Sequence, residues 1–235
     1  MHAEHNGKLA TADEFAVLAR ELHSSHTERE AVQSVCEVAR ELLGADHAGF
    51  TTLRNGRFRT VGTTSDVPPQ VDQMQYDLLE GPCVDAIEEN TTCRIVDLEV
   101  DERYPRFGPK AAGSVGIHSM LSHRLFIEGD IFGALNLYAV RHGAFDDTHE
   151  RMGSVFATHA ALALQSARIE DRARNLDLAL ESNRRIGTAV GILMTRHQWT
   201  ERHSFETLRR FSQDHNTKLA AIAEHVILTG ELGIP

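Results

Sequence analysis

From Thr148 to about His197 no proline interrupts the chain, and only Gly153, Gly187 and Gly191 lower the helical propensity. This predicts one long continuous helix, and every other part of the chain must be arranged around it. Leu162, Ile169, Leu176, Asn183 and Val190 recur every seven residues along it. Ala179, Ile186 and Leu193 fill a second row from Leu176 onward. Heptad spacing of this kind predicts a dimer seam formed by Leu176, Ala179, Asn183, Ile186, Val190 and Leu193. Asn183 would then be a polar residue on the seam, a device that fixes register and dimeric state at some cost in stability. The competing reading is that the same stripe packs against its own domain.

The part before this helix alternates helices and strands. Residues 11–43 read as helical, with Phe15, Leu18, Ala19 and Leu22 on one face and Val32, Val35, Cys36, Ala39 and Leu42 continuing. Residues 47–53 and 57–63 read as strands joined at Asn55-Gly56, a hairpin turn signal. Pro68-Pro69 begin a loop or short helix to about Gln75, and a short helix starts near Pro82, where proline suits the first turn. Residues 93–97 read as a strand, and 101–109 as a loop carrying Pro105, Gly108 and Pro109. Ser119–Ile127 and Ile131–Ala139 are two further strands. A mostly antiparallel sheet with flanking helices makes this an α+β domain.

Behind the long helix come two short ones. Thr200 can cap a helix with Phe205, Leu208 and Phe211 on its apolar face. Asn216 or Thr217 can cap another, with Leu219, Ile222, Ala223, Val226 and Ile227, stopped at Gly230. The tail is therefore an all-α three-helix module, too small to be comfortable alone and tied to the rest by the long helix.

Charge divides the same way. Residues 1–169 hold 15 Lys+Arg against 25 Asp+Glu, whereas residues 170–235 hold 9 of each. Between 184 and 218 the basic residues are Arg184, Arg185, Arg196, Arg202, Arg209, Arg210 and Lys218, opposed only by Glu201, Glu206 and Asp214. The net charge of −10 argues against a generally basic nucleic-acid binder, but an acidic body with a locally basic end suggests two units with different partners. No apolar run is long enough for a membrane helix, and the N-terminus has no basic-then-apolar signal pattern. Three cysteines without a CxxC fit a reducing compartment, and a cytoplasmic protein is expected.

SNRRIGTAVGILM (182–194), SFETLRRFS (204–212) and NTKLAAIAEHVI (216–227) together resemble the ANTAR domain, an RNA-binding module of bacterial transcription antiterminators. YDLLEGPCVDAI (76–87), VDLEVDERYPRF (96–107) and GALNLYA (133–139) resemble a GAF sensory domain of the kind joined to ANTAR in actinobacteria. The expected division is a GAF-like domain over 12–168 and a coiled-coil helix plus ANTAR domain over 169–230. The resemblance implies a homodimer that binds paired RNA hairpins in leader transcripts and prevents a terminator from forming. A small-molecule or protein signal at the GAF domain would control it. The sequence departs from the ANTAR pattern at Val190, where many members carry a basic residue, and at Ser204, where many carry Ala.

The candidate RNA contacts are Arg184, Arg185, Ala189, Gly191, Arg196, Arg209, Ser212 and Lys218. For Ala189 and Gly191 the alternatives are close approach of an RNA backbone or tight helix packing. For Ser212 they are RNA or a local cap. Trp199 reads as core, with base stacking the lesser alternative. Tyr76, Cys83, Phe126 and Asn136 are candidates for a sensory pocket.

Cys83, at a probable helix N-terminus where the dipole favours thiolate, and Cys93 raise a rival reading. Free-methionine-sulfoxide reductases also place cysteines around this short helix of a GAF scaffold. That family has a further cysteine before the next strand, where GSVGIHSMLS (113–122) has none. Buried inert thiols are the favoured reading. A DNA-binding helix-turn-helix is a third reading, weakened because LAAIAEHVILTG carries almost no base-contacting side chains. The histidines show no ligand spacing, and no phosphate loop or nucleophile elbow occurs. Neither metal, cofactor nor enzymatic activity is expected.

Overall fold

The computed structural model describes residues 27–89, 91–127 and 130–234. The part of the first expected helix that carries Phe15 to Leu22 lies outside the described residues. The chain forms two compact units, Met1–Asp171 and Arg172–Pro235.

The first unit is built on five strands: β1 His47–Arg54, β2 Arg57–Thr63, β3 Cys93–Ile95, β4 Ser119–Ile127 and β5 Asp130–Ala139. Their order is β2-β1-β5-β4-β3, and every neighbouring pair is antiparallel. The hairpin at Asn55-Gly56 forms as the sequence predicts, both residues taking positive φ. Central β1 is covered on both faces, while edge β2 alternates. At the sheet centre Gly133 has φ 149°, and a Cβ there would lie 1.8 Å from the Thr51 carbonyl oxygen. Only glycine lets β5 approach β1 so closely.

Helix α1, Glu28–Leu42, starts where the Thr27 hydroxyl accepts a hydrogen bond from the Glu30 amide at 3.1 Å. Val32, Val35, Cys36, Ala39 and Leu42 turn inward against Phe50, Leu121, Leu135 and Leu137. Phe156, Ala160, Ala161 and Leu164 of the long helix α5, Asp147–His197, complete this layer. Each large side chain so buried contributes about 1.5–3 kcal/mol.

The other sheet face carries α2 (Val67–Leu78), α3 (Pro82–Glu88) and α4 (Phe107–Val115). Of the loop and the short helix open at Pro68-Pro69 the helix forms, and it runs past Gln75 to Leu78, because a proline in the first turn gives up an amide that has no helical partner. The expected loop at 101–109 is shorter than foreseen for the same reason. Gly108 and Pro109 stand in the first turn of α4, which ends at Gly116 in the left-handed conformation. Gly108 also passes against the Leu98 carbonyl, where a Cβ would lie 1.9 Å from the oxygen.

The second unit packs the C-terminal part of α5 with α6 (Glu201–Asp214) and α7 (Leu219–Thr229). Thr200 caps α6 by accepting from the His203 amide. Gly230 ends α7 at φ 78°, as expected. The start of α7 needs correction: neither Asn216 nor Thr217 caps it, and the chain enters at Lys218 without a side-chain cap. Asn216 is instead a turn residue at φ 48°.

The core of this unit is Ala189, Val190, Leu193, Leu208, Ile222, Ala223 and Val226, with Ile186 packed against it. That corrects the C-terminal part of the expected seam. Val190 is 6% exposed and Leu193 fully buried, so their apolar surface is used inside the unit and cannot also face a partner helix. Leu176, Ala179 and Asn183 are exposed.

Candidate functional site

Two clusters of the expected site residues separate cleanly. In the first unit, Asp72 of α2 is completely buried beneath the sheet. Its carboxylate accepts hydrogen bonds from Tyr138, from Gln75 at 3.2 Å, from Thr60 at 2.7 Å and from Thr51 at 3.3 Å. The Tyr76 hydroxyl lies 2.8 Å from that of Thr51 and 3.0 Å from that of Thr60. Asn136 donates to Thr51 and to the Cys83 sulfur, each at 3.0 Å, while its own Oδ1 is buried without a partner. Gln75 accepts from the Cys83 amide at 2.8 Å.

Tyr76, Cys83 and Asn136 are therefore brought together in one hydrogen-bonded cluster. Phe126 is not. It sits near the end of β4, 53% exposed, with the Arg124 guanidinium 4.7 Å from its ring centre. Sequence reading missed Asp72, Thr51, Thr60, Gln75 and Tyr138. The signal available was the pairing of Asp72 with Gln75 and Tyr76 at helical spacing beside apolar Val71.

Burial dominates the chemistry here. It lifts the Asp72 carboxyl to about 6, against the opposing pull of its hydrogen bonds from Tyr138, Thr60, Thr51 and Tyr76. Burial, then the Asp72 charge, pushes the Cys83 thiol well up. Desolvation thus opposes the pull of the helix dipole towards thiolate, in line with the buried-thiol reading. Burial also raises Cys93. Its sulfur lies 3.0 Å from the Tyr104 hydroxyl, which donates to Asp85 at 2.6 Å. All three cysteines are free and buried.

In the second unit the basic residues fall into two groups. Arg184 pairs with Glu181 at 2.9 Å, Arg185 with Glu181 at 3.0 Å and Glu224 at 2.6 Å, Arg196 with Glu231 at 2.8 Å, and Arg202 with Glu206 at 3.0 Å. Arg209, Arg210 and Lys218 are exposed and have no ion pair among the described residues. Ala189 and Gly191 take opposite roles. Ala189 is fully buried in the core and so is corrected from contact to packing. Gly191 is exposed, and an added Cβ would meet nothing within 4 Å. Ser212 donates to the Thr217 carbonyl at 2.6 Å, a local bond. Trp199 is half-buried against the core and stacks on His197, with ring centres 4.4 Å apart.

The family description of the GAF domain matches residues 25–165, and that of the ANTAR domain matches residues 174–227. The chain belongs to the GAF family and carries an ANTAR domain behind it. It is a signal-sensing regulator with an RNA-binding output. No curated protein matches it. Among solved structures, the GAF domain of a phosphoenolpyruvate-protein phosphotransferase from Coxiella burnetii is similar at 19% identity and TM-score 0.54, over 70% of this chain and 95% of that one. The corresponding domain from Acinetobacter is 13% identical with TM-score 0.53, over 66% and 92%. The free methionine-R-sulfoxide reductase of Neisseria meningitidis is 15% identical with TM-score 0.52, over 69% and 97%. At these identities the likeness is one of fold. Among the described residues no group of three or more potential ligands could hold a metal, and no helix is long and apolar enough to cross a membrane.

The buried carboxyl of the GAF unit gives a pH prediction. Asp72 is held at about 6 when folded, against 3.8 as its ordinary value. Folding therefore favours its protonated form. The penalty is present above the folded value and is relieved as pH falls through about 6 towards 3.8. The shift corresponds to about 3 kcal/mol. Urea unfolding of wild type and Asp72→Asn between about pH 8 and pH 4 should show wild type gaining on the variant by roughly that amount. A constant difference across the range would refute the assignment.

Proposed function

We propose that this chain is a cytoplasmic transcription antiterminator, a homodimer whose ANTAR units bind paired hairpins in leader RNA under control of the GAF unit. The observation that carries the reading is the exposed, unpaired set Arg209, Arg210 and Lys218 on the ANTAR unit. In an otherwise acidic chain these cations form no ion pair among the described residues, Arg209 only lying near enough to Glu206 to feel its charge, and phosphate is the anion an RNA-binding unit meets. Exposed Gly191 supports it, since a bare helix surface admits a backbone closely. On this reading Arg184, Arg185 and Arg196 are held in ion pairs and contribute less.

The homodimer is supported by α5. Val155, Leu162, Ile169 and Leu176 recur every seven residues and are 53–61% exposed. An apolar heptad row left in water on one copy is suited to the same row on a second copy. Leu176, Ala179 and Asn183 form the C-terminal end of that seam. A signal in the GAF unit would shift the population of the competent dimer.

A non-enzymatic role is part of this reading. Protonated, buried thiols at Cys83 and Cys93 are poor nucleophiles, which opposes a sulfoxide reductase.

The test is binding of the purified protein to a two-hairpin leader RNA, a one-hairpin RNA and matched duplex DNA across a salt series. Preference for the two-hairpin RNA by about a hundredfold or more is expected from dimeric avidity. Equal affinity for one and two hairpins would remove the paired-hairpin mechanism, and preference for DNA would remove the RNA reading.

A further inference from the structure

The helix-covered face of the GAF sheet holds a feature that RNA binding leaves unused. In the β1–β2 hairpin, Thr52 stands opposite Arg59 and Arg54 opposite Arg57. Opposed residues share a face. That face is the one on which Phe50 packs against α1, not the one carrying Thr51, Thr60 and the buried Asp72 cluster. Three guanidinium groups therefore leave the hairpin on one side. Arg29, in the first turn of α1, is a fourth. All four line one cleft of about 810 Å³, whose apolar wall is Val61 with Val32 and Phe50 behind it.

The charge balance in this cleft is uneven. Glu28 pairs with Arg54 at 3.0 Å. Arg29, Arg57 and Arg59 have no ion pair among the described residues. Asp171 stands on the rim, accepting from the Glu28 amide at 3.5 Å. Like charges directly opposed across a strand pair, as Arg54 and Arg57 are, destabilise the hairpin. Four arginines gathered into one cleft of an acidic domain are suited to an anion that relieves this repulsion. The guanidinium fork matches phosphate oxygens in bidentate geometry. The cleft volume falls in the range of about 300–1,000 Å³ that small-molecule sites occupy, and its apolar wall offers nothing to a polyanionic strand.

We propose that this cleft binds a small organic phosphate, with the phosphoryl group held by Arg57, Arg59 and Arg29 and the apolar body against Val61. The arginines stand on the face of the hairpin opposite the Asp72 cluster, which meets the cleft only at Thr60, and the site does not depend on how the ANTAR unit reads RNA.

Isothermal titration of the full chain at constant ionic strength, with phenyl phosphate and with inorganic phosphate, tests it. Saturable binding is expected for both, tighter for phenyl phosphate because of its ring. Arg57→Gln/Arg59→Gln should weaken it by about tenfold or more, and Arg29→Gln by a smaller factor. Arg141→Gln, which removes an exposed charge outside the cleft, should change nothing. The unliganded double variant should melt no lower than wild type, since a like-charge pair has gone. Absence of saturable binding to either anion overturns the proposal, as does affinity unchanged in both cleft variants. Loss of leader-RNA affinity in the double variant, with neither small anion binding to wild type, would instead make the cleft a nucleic-acid surface and also overturns it.

Discussion

Ile169→Asp/Leu176→Asp is expected to make the chain monomeric and to lower its affinity for a two-hairpin RNA by about 10²–10⁴-fold. Both side chains lie on the exposed heptad row of α5, at 59% and 61% exposure. Neither supports the fold of a single copy, so each unit should keep its melting behaviour. In a dimer the two aspartates of each chain would face apolar partners and one another, with desolvation and repulsion acting together. One-hairpin affinity should hold, because each ANTAR unit is untouched. The measurement is sedimentation equilibrium on both proteins, followed by titration with each RNA. A variant that stays dimeric would place the dimer contact elsewhere. A monomeric variant with undiminished two-hairpin affinity would break the link between dimerisation and recognition.

The same row shows how far sequence can be read. Periodicity reported correctly that Leu162, Ile169, Leu176, Val190 and Leu193 share a helical stripe. It could not report what covers the stripe, because a partner helix and the chain's own α6 and α7 ask for the same apolar spacing. In the structure Val190 and Leu193 are packed against Leu208, Ile222 and Val226, while Leu162, Ile169 and Leu176 are exposed. The element order of the GAF unit was legible because alternation and turn residues act locally, as at Asn55-Gly56. The helix at Phe107 was not, because Gly108 and Pro109 read as a loop unless their place in a first turn is known.

The buried cluster around Asp72 shows a deeper limit. Tyr76, Cys83 and Asn136 were selected by their motifs. Asp72 belongs to no motif. Its weight comes from complete burial and from convergence of Thr51, Thr60 and Tyr138 out of three strands. Those contacts are long-range, so no local pattern encodes them. The basic residues of the tail behave alike. Arg185 and Arg209 look equivalent in sequence, and only the fold shows that Arg185 pairs with Glu224 at 2.6 Å while Arg209 forms no ion pair among the described residues.

That distinction carries the second large prediction. Arg209→Ala/Lys218→Ala should reduce RNA affinity by about tenfold at 0.15 M salt. It should also flatten the slope of log affinity against log salt by about one to two units. The reasoning is counter-ion release. Each free cation that reaches a phosphate displaces a condensed ion, and the gain is set by bulk salt rather than by base sequence. Arg184→Ala is the matched comparison. Its guanidinium already pairs with Glu181 at 2.9 Å, so reaching a phosphate means giving up that carboxylate and the net gain is small. Its affinity should fall by less than the double variant's, with the slope nearly intact. Equal losses in the two proteins would mean that intramolecular pairing does not decide which cations meet RNA. An unchanged double variant would move the interface away from Arg209 and Lys218 to the open surface around Gly191, where an added Cβ meets nothing within 4 Å and a bulky substitution such as Gly191→Leu would then be the decisive test.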